Sequence, residues 1–270
     1  MGQGTHPEVD TSRASVARSY DAALGGKDNF AVDRQALQRQ MEVFPAAPLV
    51  ARANRRWLVR VVGHLADHAG ADQFLDLGSG LPTVENTHEV AQRYHEEAKV
   101  VYVDHDPAVN AYGRALLEND ESTFVATADL TEPDEVLALP EVRRLDFTRP
   151  VVLMQCGTMH HVPDELGPER IMQRYVDALP SGSYVALSHF WDPADGSADA
   201  ELARRYEHVV TSEVGSGFWR STERILAMLP GLELLEPGLV PLNDWWPSGP
   251  RLEPPHEGEA LIVGCLARKP

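Results

Sequence analysis

Phe74-Leu75-Asp76-Leu77 runs directly into Gly78-Ser79-Gly80, and Asp104 follows 24 residues after Gly80, at the end of Val100-Val101-Tyr102-Val103. Two short apolar runs with room for a helix between them describe one βαβ unit of a parallel sheet. In such a unit the glycine turn and the acid lie side by side at the carboxyl ends of adjacent strands. Glycine lets the backbone approach a ligand closely, and a carboxylate one strand over can accept both hydroxyls of a ribose. The spacing predicts a site for a nucleoside-like cofactor. The alternative is a tight strand-to-helix turn that holds nothing.

The turn departs from the dinucleotide pattern. A pyrophosphate site reads G-x-G-x-x-G, whereas here Thr83 takes the third glycine position, Pro82 precedes it, and Asp76 stands two residues before Gly78. An anion at that point repels pyrophosphate and suits an ammonium or sulfonium. The turn therefore favours S-adenosylmethionine over NAD, with Asp76, Gly78, Ser79 and Gly80 as candidate contacts.

The rest of the chain fits one large α/β unit. Ahead of the first strand, apolar residues recur with helical period, giving helices expected at 13–24, from Asp28 or Asn29 as cap to about 43, and at 49–69, where Gly70 closes the last. Strands are expected at 74–77, 100–103, 124–127, 151–155 and 184–188, with helices between them, such as 107–118 capped by Asp106. Strands near 232–236 and 260–267 lack an intervening helix and read as an antiparallel hairpin. The expected fold is a Rossmann-like, seven-stranded, mostly parallel α/β sheet. Residues 1–72 form an N-terminal helical cap, 73–270 form the core, and the polar residues 1–12 are expected to be disordered.

Composition narrows the partners. The formal net charge of −17 argues against nucleic acid and anionic membranes, which need clustered Lys and Arg. Arg52, Arg55, Arg56 and Arg60 recur along one helix side and read as a solvated face. Cys156 and Cys265 read as reduced thiols, no apolar run approaches 18 residues, and the start lacks a signal-peptide core. A cytoplasmic protein is expected. The sequence sets no oligomeric state, and it carries no metal-ligand spacing.

The chain resembles the S-adenosyl methyltransferases of actinomycetes, formerly a domain of unknown function, within the class I S-adenosylmethionine-dependent methyltransferases. The resemblance spans about residues 14–268. It rests on Ala17-Arg18-Ser19-Tyr20-Asp21, Leu24-Gly25-Gly26-Lys27-Asp28-Asn29-Phe30 and the segment from Phe74 to Thr83. His88-Glu89-Val90-Ala91, Val101-Tyr102-Val103-Asp104, His160-His161-Val162-Pro163-Asp164 and Glu236-Pro237-Gly238 complete it. It implies that Gly78 and Gly80 pass the methionine part of the cofactor, Asp104 holds the ribose and His105 packs near the adenine. Asp129 and the amide of Leu130 would read the adenine edge, although Asp129 also suits a turn cap.

Two further regions carry chemistry. A helical cap ending in Gly-Gly-Lys-Asp-Asn can fold over the sheet edge, bringing Tyr20, Lys27, Asp28 or Asn29 to the cofactor, or it can be a plain helix stop. His160 and His161, just past the fourth strand, stand where an imidazole could take a proton from a methyl acceptor. On an extended segment only one of the two would face the site. Trp219, Trp245 and Trp246 read as packing of the terminal hairpin or as pocket wall. The expected activity is methyl transfer to a small-molecule acceptor; the alternative is a non-catalytic protein that binds S-adenosylmethionine or its demethylated product as a regulatory ligand.

Overall fold

The computed structural model describes residues 9–117, 121–246, 249 and 254–270. Residues 1–8 of the polar lead and the expected helix end at Glu118 lie outside them. Residues 10–13 are tied down, not disordered, because the carbonyls of Asp10 and Arg13 accept from the buried Arg18 guanidinium.

Three helices come first: α1 (Val16–Leu24), α2 (Ala31–Val43) and α3 (Ala47–Ala69). Strands and helices then alternate through β1 (Gln73–Leu77), α4 (Thr87–Ala91), β2 (Lys99–Asp104), α5 (Pro107–Leu116), β3 (Thr123–Thr127), α6 (Pro133–Ala138), β4 (Val152–Cys156), α7 (Pro168–Ala178) and β5 (Tyr184–Phe190). The chain ends with α8 (Ala198–Val214), α9 (Thr222–Leu226), β6 (Glu233–Leu234), β7 (Val240–Pro241) and β8 (Ile262–Arg268).

The sheet runs β3-β2-β1-β4-β5-β8-β6, with β7 also on β8. β1 to β5 are parallel, and β8 returns antiparallel to β5 from Phe190↔Ile262 to Tyr184↔Arg268. One strand more than the expected seven is present among the described residues. The outer edge of β8 is covered by two short strands, β6 near Arg268 and β7 near Gly264. Pro237-Gly238 turns the chain between them, and Pro241 cannot donate to a ladder, so one long edge strand cannot form.

Side chains alternate across the sheet. Phe74, Val100, Met154 and Leu266 pack with Trp57, Val61 and Leu65 of α3 on one face. Leu75, Val101, Leu153 and Val185 pack with Ile171, Met172 and Tyr175 of α7 on the other. Burial on both faces is what continuous apolar parallel strands require. Trp57 and Trp245 meet edge to face at 5.9 Å within the first layer, so Trp245 packs the core. Trp219 stacks on Phe190 at 4.1 Å.

The α1–α2 connection is organised around one acid. Gly25 closes α1 with φ 84°, and the Oδ2 of Asp21 accepts from the amide of Asp28 (3.0 Å) and the Nδ2 of Asn29 (2.7 Å). A Cβ on Gly26 would lie 1.9 Å from Asp21 Oδ1, which leaves no room for a side chain. The expected cap of α2 at Asp28 or Asn29 is not made: the Asp28 carboxylate faces Tyr112, and Asn29 spends its Nδ2 on Asp21 and its Oδ1 on Arg34. Phe30 takes the cap position and donates its N–H to Asp33 (2.8 Å). Buried Asp33 also accepts from Arg18 (2.9 Å) and from the Ser15 amide (3.1 Å). No helix among the described residues is long and apolar enough to cross a membrane.

Candidate active site

A cavity of about 540 Å³ opens at the carboxyl edge of the parallel strands. α1, α2, α3 and α8 supply the walls that the sheet does not.

The glycine turn after β1 forms its floor. Gly78 and Gly80 have φ of 66° and 68°, the left-handed region that glycine enters without strain. A Cβ on Gly78 would come within 2.5 Å of Thr158 Cγ2, whereas one on Gly80 would meet nothing within 4 Å. The Gly80 N–H donates to Asp104 Oδ2 (2.9 Å), and the Asp106 N–H donates to Asp104 Oδ1 (2.9 Å). Each carboxylate oxygen keeps one lone-pair direction for a further donor. Burial pushes the Asp104 carboxyl up, against the pull of those two amides.

Asp76 accepts from the Thr87 hydroxyl (2.7 Å), and burial raises its pKa to about 6. Beside it stands Arg55 of α3, whose Nη2 donates to the carbonyls of Val84 (3.0 Å) and Glu85 (2.7 Å). Its Nε is buried without a partner. The arginine stripe is thus not one solvated face. Arg52 and Arg56 are exposed, Arg55 lines the cavity, and Arg60 donates to the Leu242 carbonyl (2.5 Å). Sequence periodicity sets the stripe, but only packing decides which member turns inward.

Ser79, His105, Asp129 and Leu130 also line the cavity. Asp129 Oδ1 accepts from the amide and hydroxyl of Thr131, each at 2.8 Å, so it holds its own turn while facing the space. Tyr20 lines the wall with its hydroxyl donating to the Ala51 carbonyl (3.1 Å) and accepting from Asn54 (3.2 Å). Lys27, Asp28 and Asn29 are not part of the cavity wall. Asp21 gathers Asp28 and Asn29 as described, and the Asp28 carboxylate faces Tyr112 of α5, pushing that phenol up.

His160 and His161 both line the cavity, because Met159–His161 is a 3₁₀ turn and not an extended segment. His160 stacks on Phe190 with centroids 3.7 Å apart, and its Nδ1 accepts from the Phe190 amide (3.3 Å). Burial holds its pKa well below the usual range. His161 places Nδ1 3.0 Å from Ser216 Oγ, and burial lowers its pKa to about 4. Buried Arg220 fixes the turn by donating to the carbonyls of Met159 (3.1 Å) and Val162 (2.6 Å) and to Asp164 Oδ1 (2.8 Å). It also faces His189 Nε2 at 3.0 Å, and burial pushes His189 down to about 3. Arg220 lies 61 residues beyond Met159, and no local pattern ties the two together. Burial also raises the Cys156 thiol, which suits a packed side chain and not a nucleophile.

The cavity fits a nucleoside that carries an amino acid. Arg55 lines the cavity as a cation for a carboxylate, Asp76 as an anion for an ammonium, and Asp104 keeps lone pairs for ribose hydroxyls. Gly80 leaves the space between them open.

A family model described as S-adenosyl methyltransferase matches residues 2–270. A candidate methyltransferase from Thermobifida fusca is 41% identical, with 99% of each chain covered and a TM-score of 0.91. A Streptomyces avermitilis protein, from a family named as a domain of unknown function, is 37% identical over 97% of this chain and 100% of its own, with a TM-score of 0.91. An O-methyltransferase family protein from Burkholderia thailandensis, 12% identical with a TM-score of 0.52 over 91% of this chain and 62% of its own, shares the fold. No curated protein matches the chain. The chain belongs to the S-adenosyl methyltransferase family, with the Rossmann-like fold of that class and S-adenosylmethionine as its cofactor.

Proposed function

We propose that the protein is an enzyme that methylates a small organic acceptor. The observation that supports this most is the continuity of the cavity: the space beside Gly80 and Asp104 runs on past His161 to Phe190, Tyr206, Val210 and Ile262. A protein that only sensed the cofactor would not need this second, walled compartment.

When bound, S-adenosylmethionine supplies an electrophilic methyl group on its sulfonium. Arg55 and Asp76 would hold its amino-acid end, Asp104 the ribose, and His105, Asp129 and Leu130 the adenine side. α1 and α2, with Tyr20 in the wall, act as a cap that keeps water from the reacting centre, where desolvation and alignment matter most. His161 is the better base of the histidine pair. With its Nδ1–H directed to Ser216, Nε2 keeps a lone pair for a proton from the acceptor, and a depressed pKa keeps it neutral at physiological pH. His160 spends Nδ1 on the Phe190 amide, which leaves its Nε2 protonated and makes it a packing element.

The test is S-adenosylhomocysteine formation from S-adenosylmethionine with a fractionated metabolite extract. Product that depends on one fraction supports the reading. Tight binding of both nucleosides with no turnover across all fractions would favour a regulatory binder.

A further inference from the structure

The cavity wall is divided by charge. Its charged side chains among the described residues, other than histidine, are Arg55, Asp76, Asp104, Asp106 and Asp129. All five belong to the cofactor half, at the ends of β1, β2 and β3 or on α3 beside Asp76. The other half lies over β5 and β8, where Phe190 pairs with Ile262 at the same edge, and is closed by α2 and α8. Leu37, Phe190, Tyr206, Val210, Val214 and Ile262 line it. Both faces of Phe190 are covered, by His160 at 3.7 Å and Trp219 at 4.1 Å, so the ring is held in place by stacking.

Polar groups in the roof are few and neutral. Gln40 Oε1 accepts from the Tyr206 hydroxyl (3.3 Å). Ser19 is also part of the wall, but its hydroxyl is enclosed by protein and does not face the open space. An ion placed among these groups would be desolvated without a countercharge, whereas a neutral hydroxyl or amine would find a donor or acceptor.

We infer that the acceptor is an uncharged, largely apolar molecule with a hydroxyl or neutral amine, bound over β5 and β8. Phosphorylated, carboxylated and cationic metabolites are excluded by the same wall. This inference rests on the methyltransferase reading and specifies its substrate class.

The experiment is calorimetry on the full chain saturated with S-adenosylhomocysteine, using three probes of one shape: naphthol, naphthoate and naphthylmethylammonium. Naphthol is expected to bind about tenfold or more tighter than either ion, because only the ions lose hydration without compensation. Leu37→Asp, at a half-buried position, is expected to weaken naphthol by about tenfold or more while S-adenosylhomocysteine affinity is kept, which also reports that the variant is folded. Equal or tighter binding of an ion to the unmodified chain would overturn the inference, as would no binding of any probe. Failure of S-adenosylhomocysteine itself to bind would overturn the cofactor-site reading and this inference with it.

Discussion

Asp76 and His161 carry opposite pH signatures, and each is a handle on its proposed role. Burial raises Asp76 from 3.8 to about 6, so the stability it contributes is fully present below about 4 and is lost as pH rises through about 6. An ammonium beside it would pull that pKa back down. Binding of S-adenosylhomocysteine near pH 6 should therefore release a proton, seen as a binding enthalpy that varies with the buffer's ionisation enthalpy. Asp76→Asn should abolish the release; an unchanged buffer dependence would separate Asp76 from the ligand. His161 is lowered from 6.5 to about 4, so its contribution is present above 6.5 and is lost as pH falls through about 4. As a base it should be competent across the neutral range and fail only on acidification. His161→Ala should cut turnover by roughly 10²–10⁴, the yield of positioned acid–base catalysis, with cofactor affinity intact. Full activity in that variant would leave alignment alone as the catalytic device. Gly78, Gly80 and Asp104 were legible in the sequence because strand ends impose their spacing. Arg55 and Arg220 were not, because their roles come from which way a helix face or a distant loop turns.

At the scale of elements, the N-terminal helices α1 and α2 are tied together by two carboxylates. Asp33 joins α2 to Arg18 and to the start of α1, and both side chains of the pair are almost wholly buried. Asp33→Ala would strand the Arg18 cation, so urea unfolding should show a loss of about 3–5 kcal/mol, the usual result of removing one partner of a buried pair. A loss below about 1 kcal/mol would mean that water already reaches the site, as it does for exposed pairs. Asp21 does the same for the Gly25–Asn29 turn, whose Asp28 reaches across to Tyr112. Hydrogen exchange in residues 16–30 should slow when S-adenosylhomocysteine is added; unchanged exchange would make α1 an ordinary packing layer. The helices themselves were readable from their period and from Gly25 and Gly70. The fate of Lys27, Asp28 and Asn29 was not, since an Asx-rich turn can face a ligand or fold onto a neighbouring acid with the same local sequence. Likewise His160-His161 gave no sign of the 3₁₀ turn that brings both rings to one cavity.

At the scale of the molecule, the parallel half of the sheet was legible strand by strand, because burial on both faces leaves continuous apolar runs. Its antiparallel edge was only partly so: a two-residue strand such as β7 carries no periodicity and exists because the long β8 offers an edge to pair with. The sheet order brings the β1 turn and the end of β2 into one cleft, and the proposed function depends on what that cleft holds. The most direct test is titration calorimetry of the full chain with S-adenosylhomocysteine, with NAD as control and Asp104→Ala as the variant. One site per chain is expected, with no NAD binding and a loss of about 1.5–3 kcal/mol in the variant, the range for hydrogen bonds to a charged group. Unchanged affinity in Asp104→Ala, or NAD bound in place of S-adenosylhomocysteine, would contradict it.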